Sequence, residues 1–275
     1  MSVVLYLVLA LVLNLVGAGG AFWKRALTAD GALTAFLLGF GIFTLGGPGA
    51  WILLMTFFIS STLLGRLTPE RAEVPASMQV RGNRRDSIQV LANGGVALLT
   101  SFAWALTAEA VWLVALGASL ASATADTWAS EIGVGSRKSP VSLIGFREVP
   151  VGVSGGVSLR GTLGALAGAL FLTAVFWAVT GAMAVVRLPA VALGIVFLAG
   201  FVGNVADSLF GATIQAHYVD EDGNYTERRH GAEGRNRLVR GAPGVTNDAV
   251  NVLASVSAAA VAAAAYLLIT DLPSG

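Results

Sequence analysis

The sequence predicts an all-α protein, a polytopic transmembrane helical bundle of about eight spans, and three observations carry that prediction. Of its 275 residues, 55% are hydrophobic and only 12% charged, with a mean hydropathy of +0.75, well outside the range of a soluble domain. Apolar runs of the ~20 residues that a helical span requires recur along the chain, divided by short Gly, Pro or charged breaks. The basic residues gather in alternate breaks.

The first run, 2–20, has no basic segment before it, and Lys24 and Arg25 follow it, so it reads as a retained span rather than a cleaved signal. Runs 31–46 and 48–65 are joined by a tight turn at Gly46-Gly47-Pro48-Gly49. The remaining spans are expected near 88–107, 109–125, 161–181, 188–215 and 248–270. Together they make one transmembrane domain over 1–275, with loops near 66–87, 126–160 and 216–247. Small residues such as Gly164-x-x-x-Gly168 and the Ala258–Ala265 run let helices approach closely. They read as intramolecular packing, with a homodimer seam as the other reading.

If the spans alternate in direction, segments 21–30, 66–87, 126–160 and 216–247 emerge on one side, and of the 17 Lys and Arg residues only Arg187 falls on the other. The positive-inside rule makes the basic side cytoplasmic and puts both termini outside the cytoplasm. A formal charge of +1 gives no reason to expect nucleic acid as a partner. Without cysteine there is no disulfide, thiolate metal site or cysteine nucleophile, and His217 and His230 as the sole histidines argue against zinc chemistry.

Three polar clusters lie at the cytoplasmic ends of spans, where ionisable groups are costly to desolvate. In Ala125–Gly133, a continuing helix would put Asp126 and Ser130 on one face and Glu131 about 140° from Asp126. In Gly203–Gly211, residues Asn204, Asp207, Ser208 and Gln215 share a face, the pattern of a stripe lining a cavity. In Thr246–Asn251, Asn247 and Asn251 are one turn apart, and Asp248 and Asn251 could be neighbouring ligands. Helix capping and dipole effects account for single members, Asp207 and Asp248 among them. Three such oxygen-rich clusters at similar depth suit Mg²⁺ bound alongside phosphates, with Asp126, Asn204, Asp207, Asn247, Asp248 and Asn251 as ligands.

Between the first two clusters, Gly133–Pro140 and Pro150–Thr162 alternate glycines with hydroxyls, and Ser154, Gly155, Gly156 and Ser158 could turn backbone N–H groups toward an anion. A flexible connector is the competing reading. Lys138 and Arg160 flank this loop as cations for phosphate. The stretch Arg81–Gly95 offers Arg84 and Arg85 to phosphate or headgroups, with Gln89 and Asn93 a turn deeper, although plain positive-inside anchoring also explains the arginines. The mixed-charge stretch from His217 to Arg240 reads as a mobile surface loop or lid.

RRDSIQVLANGG (84–95), ADTWASEIG (125–133), VSGGVSLRGT (153–162), NVADSLFGATIQ (204–215) and TNDAVN (246–251) together resemble the integral membrane family of phytyl phosphate kinase and transmembrane protein 19. More distantly, Asp126, Ala129, Gly133, Lys138 and Gly155-Gly156 are similar to the CTP-binding region of dolichol kinases and phosphatidate cytidylyltransferases. The resemblance implies transfer of a phosphoryl group from a nucleoside triphosphate, CTP foremost, to an isoprenyl monophosphate. Such an acceptor is already ionised near neutral pH, so a site with few histidines suffices if it supplies metal, cations and alignment. On this reading Asp126, Asp207 and Asp248 hold Mg²⁺, Lys138 and Arg160 neutralise the transferring phosphate, and the Ser154–Ser158 loop cradles the nucleotide. Arg84 and Arg85 hold the acceptor phosphate, Asn93 and Glu131 join the binding residues, and the isoprenoid tail lies in a lipid-facing groove between spans. A secondary transporter of a small anion, a lipid-phosphate cytidylyltransferase and a non-catalytic lipid-binding scaffold are the rival functions.

Overall fold

Each apolar run folds as a helix. A computed structural model describes residues 2–68, 84–136, 138–183, 186, 188–231 and 234–270, in which seven helices are long and apolar enough to cross a membrane. They are α1 (Val3–Trp23), α2 (Ala29–Leu67), α3 (Ser87–Thr107), α4 (Ala110–Gly133), α5 (Leu159–Met183), α6 (Val191–Thr213) and α7 (Asn247–Thr270). Of the residues named from the sequence, Arg81 and Arg187 lie outside the described ones.

The second and third predicted spans form the single element α2, broken at Gly47, whose φ of 83° and ψ of 173° are not helical. Glycine adopts that conformation without strain, and Pro48 starts the second half with a φ suited to a helix. A straight helix would set Gly39 and Trp51 about 18 Å apart. Instead Trp51 Nε1 lies 3.7 Å from where a Cβ on Gly39 would stand, and it donates to Asn14 Oδ1 at 2.9 Å. The halves therefore run antiparallel, at lengths of about 27 and 30 Å. Seven helical elements thus supply eight membrane-length segments, as the sequence predicts, and the described chain begins and ends on the same side.

α4 is the axis of the bundle. All residues from Val114 to Ala125 are buried, and α2, α3, α5, α6 and α7 all pack on it. Its Ala, Ser and Gly side chains allow this crowding. Gly164 and Gly168 of α5 lie against α4 backbone, where added Cβ atoms would stand 2.8 Å from Trp128 O and 3.0 Å from Thr124 O. That small-residue motif is therefore an intramolecular seam.

One end of the bundle is stitched together through loops. Thr28 caps α2 by accepting from Gly31 N, Asp86 and Gln89 form a capping box on α3, and Thr28 N donates to Arg85 O at 3.1 Å. The larger loops at this end carry small sheets. β1 (Val141–Ser142) pairs antiparallel with β2 (Gly156–Val157). β3 (His217–Val219) lies between β4 (Tyr225–Thr226) and β5 (Arg237–Arg240), again antiparallel. The stretch expected to be a mobile lid is thus a three-stranded sheet. α4 also runs two turns past the predicted end at 125, so Asp126 and Glu131 stand on regular helix.

Candidate functional site

Helices α4 and α6 pack through small residues, and this sets their register. An added Cβ on Gly200 would stand 3.2 Å from Ala121 C, and one on Gly203 would stand 2.7 Å from Ser122 Cβ. The two helices run the same way, so four residues further along each brings Asp207 beside Asp126. Their carboxyl groups are close enough to interact. Asp207 Oδ2 is buried and has no hydrogen-bond partner among the described residues, and the same holds for Asn251 Oδ1 on α7. Two touching carboxylates carry full charge together only with a cation between them.

These carboxyls open into a cavity of about 640 Å³. Its wall takes Asp126 and Glu131 from α4, Asn204 and Asp207 from α6, and Asn247 and Asp248 from the start of α7. The other side is the glycine-rich loop 151–158, including Ser154, Gly155, Gly156 and Ser158. All three polar clusters and the loop that the sequence singled out therefore meet in one place.

The loop lies directly on the last turn of α6. Gly155 has φ 84°, and a Cβ there would stand 2.6 Å from Ala212 Cα. Ser154 Oγ donates to Glu227 Oε1 at 2.7 Å, and Gln215 Nε2 donates to both Ser154 Oγ (2.9 Å) and Glu227 Oε1 (2.6 Å). From β5, Arg240 donates to Ser154 O at 3.0 Å, to Gly211 O at 3.2 Å and to His217 Nε2 at 2.7 Å. A guanidinium only donates, so Nε2 accepts, the ring proton sits on Nδ1, and the 3.4 Å approach of Nε2 to Gly211 O is a contact rather than a hydrogen bond. Burial, and then the Arg240 charge, push the His217 imidazole down to about 4.

Several expected residues lie elsewhere. Lys138 is exposed and off the cavity wall, and Arg160 donates through Nη1 to Gly135 O, also off the wall. Arg84 is exposed. Arg85 places its guanidinium over the rings of Phe57 and Phe58, on the wall of a second, apolar pocket shared with Asn93. Asn251 is not on the cavity wall either. Glu227 and Arg229, from the β3–β5 segment, are wall residues that sequence reasoning passed over, and Arg229 is the one basic side chain on the wall among the described residues. The Asp222-Gly223 dipeptide after an extended run is a hairpin signal that would have marked this sheet.

Among the described residues no three His, Asp or Glu side chains converge as a self-contained metal centre. The unpartnered Asp207 oxygen, its contact with Asp126, and the amides of Asn204 and Asn247 do fit a hard cation that takes its remaining oxygens from a bound anion.

No solved structure matches the chain. Among curated proteins it is 31% identical to Protein PGR of Arabidopsis thaliana over 76% of this chain and 79% of that one. It is 29% identical to an uncharacterized membrane protein of Methanocaldococcus jannaschii over 70% and 76% of the two chains. To the chloroplastic protein VTE6 of Arabidopsis thaliana it is also 29% identical, over 72% of this chain and 59% of that one. The family model described as Integral membrane protein DUF92 matches residues 12–259, nearly the whole helical bundle with the cavity and its glycine-rich loop, and the chain belongs to that family.

Proposed function

We propose that the protein is a membrane-embedded kinase that transfers a phosphoryl group from a nucleoside triphosphate, CTP by the family resemblance, to an isoprenyl monophosphate. The observation that carries this reading is the paired Asp126 and Asp207 facing a glycine-rich loop across one cavity. An oxygen of the acceptor monophosphate attacks the terminal phosphorus of the donor, the bridging P–O bond breaks, and a nucleoside diphosphate and an isoprenyl diphosphate result. Positioning and charge compensation supply most of the catalysis in such a transfer.

Asp126 and Asp207 would hold Mg²⁺, with Asn204, Asn247 and Asp248 on the same wall. When bound, it would neutralise phosphate charge and bring two polyanions together. The Ser154–Ser158 loop, fixed by Gln215, Glu227 and Arg240, would lie against the nucleotide phosphates. Arg229, the basic side chain on the wall, takes the compensating role that the sequence assigned to Lys138 and Arg160. The charged end of the bundle faces the cytoplasm and both termini lie on the other side, following the distribution of basic residues.

Purified protein incubated with Mg²⁺, several nucleoside triphosphates and several isoprenyl monophosphates is expected to yield the isoprenyl diphosphate and a nucleoside diphosphate by mass analysis. Release of pyrophosphate with a nucleotidyl lipid would replace the kinase by a cytidylyltransferase. Absence of turnover across the whole panel would overturn an enzymatic role.

A further inference from the structure

A second cavity lies between α1, the two halves of α2 and α3. Its wall is almost wholly apolar, with Leu27, Leu38, Leu54, Phe57, Phe58 and Val90 contributing. At its inner end Asn14 is already satisfied: Nδ2 donates to Ala10 O at 2.8 Å and Oδ1 accepts from Trp51. No polar ligand group is called for there. At the other end Arg85 lies 5.5 and 5.4 Å from the ring centroids of Phe57 and Phe58. Gln89 forms part of the wall of both this pocket and the large polar cavity. Gln89 therefore sets the two cavities side by side, so a molecule spanning both would keep an anionic head in the polar cavity and an apolar tail in the pocket.

We propose that this pocket holds the inner part of the acceptor's isoprenoid tail, an assignment that rests on the kinase reading. The pocket follows α1 from Ala21 to Asn14, about 10 Å. At about 50 Å³ it takes only a short stretch of chain. The rest leaves through its loosest wall: α1 packs chiefly on α2, and only 11% of its span is buried, against 72% for α4. A tail longer than the pocket thus continues between α1 and its neighbours into the bilayer, and recognition is confined to the stretch of chain just past Gln89, beyond the first prenyl unit.

Gly17 supplies the test. It lines the pocket, and a Cβ on it would meet nothing nearer than Met55 Sδ at 4.0 Å, so a larger side chain can start there without striking backbone, and Gly17→Phe is the blocking variant. Gly19 lies on the same helix, off the pocket wall and with no atom within 4 Å of its Cβ position, so Gly19→Phe is the control. In purified protein, Gly17→Phe is expected to raise KM for phytyl monophosphate about tenfold, the lost burial of about two methylene groups. KM for dimethylallyl monophosphate and for the nucleotide should stay within about twofold, and Gly19→Phe should leave all three unchanged. Equal effects on the long and short acceptors, or none on either, would overturn the tail site while leaving the kinase intact. If Gly17→Phe does not fold, a photoactivatable prenyl monophosphate decides: crosslinks on α1 and α3 support the pocket, and crosslinks confined to α5, α6 or α7 refute it. Protection of wild-type protein from that label by bilayer phospholipid, but not by phytyl monophosphate, would assign the pocket to a structural lipid and also overturn the proposal.

Discussion

Substituting Gly155 by alanine should separate the fit of the glycine-rich loop from its backbone strain. The new methyl would stand 2.6 Å from Ala212 Cα and 2.7 Å from Ala212 Cβ, so reaching ordinary contact needs a shift of about 1 Å between the loop and α6. The left-handed backbone, φ 84°, adds about 1–2 kcal/mol for any residue with a Cβ. Displacement of about 1 Å at a site that works by alignment costs about 100-fold in rate. Gly155→Ala is therefore expected to lower kcat/KM about 100-fold and to lose about 2–5 kcal/mol of stability. Gly145 has the same kind of backbone, φ 74°, but nothing within 4 Å of its Cβ position and no place on the cavity wall. Gly145→Ala should lose about 1 kcal/mol and keep its activity within about twofold. The measurements are steady-state transfer and thermal unfolding in the same detergent. A Gly155→Ala protein that matches Gly145→Ala in both would refute the placement of the loop at the reacting phosphates.

Asp126→Ala and Asp207→Ala should each reduce transfer by about two to three orders of magnitude while the protein stays folded, and chelation of Mg²⁺ should reproduce that loss in wild-type protein. Normal activity in either variant would remove the metal assignment. His217, held near 4 in the folded protein against 6.5 unfolded, contributes stability in full above about pH 6.5 and loses it as pH falls toward 4, because the unfolded chain takes up the proton first. Thermal unfolding across that window should show the decline, and His217→Gln should flatten it; parallel curves would place the titrating group elsewhere. Asn14→Leu leaves the Trp51 N–H without its acceptor inside the bundle and should cost about 1–3 kcal/mol, part of which returns in the double variant with Trp51→Phe. Additive losses in the double variant would show that the hydrogen bond is not the source.

What was legible in the sequence was whatever repeats along a helix. Hydropathy marked the spans, the Gly46–Gly49 turn marked the reversal in α2, and the shared face of Asn204 and Asp207 marked one wall of the cavity. Helical periodicity also related Asp126 to Ser130, although hydropathy ended that span too early, since α4 carries its polar residues on two further turns. Cations were harder to place. Lys138 and Arg160 are near the glycine-rich loop in sequence, but side-chain direction in irregular backbone has no period, and Arg160 turns to Gly135 O. Glu227 is 73 residues from Ser154, and only the pairing of β3 with β4 and β5 brings it to the loop. Nothing local distinguishes it from the other acids of that mixed-charge stretch.

A polar site at one end of a helical bundle also suits a secondary transporter, and the packing beneath the site bears on the choice. Transport requires the site to open toward the far side. Below Asp126, α4 is buried on all faces back to Val114, and two of its three polar members, Ser119 and Thr124, spend their hydroxyls on their own helix, donating to Leu116 O and Leu120 O. Around that stretch Leu172, Phe176, Val196 and Ala262 are fully buried, with the Phe176 ring 2.9 Å from the Cβ position of Gly117. A pathway there would have to part side chains whose individual loss costs about 2–5 kcal/mol. The α1 side of the molecule, in contrast, is peripheral and apolar. The polar cavity lies at one end of the bundle and the apolar pocket lies at its α1 side, and among the described residues the stretch of α4 below the cavity is closely packed. That geometry favours a reaction between a soluble anion and a membrane-held one over passage of either across the bilayer.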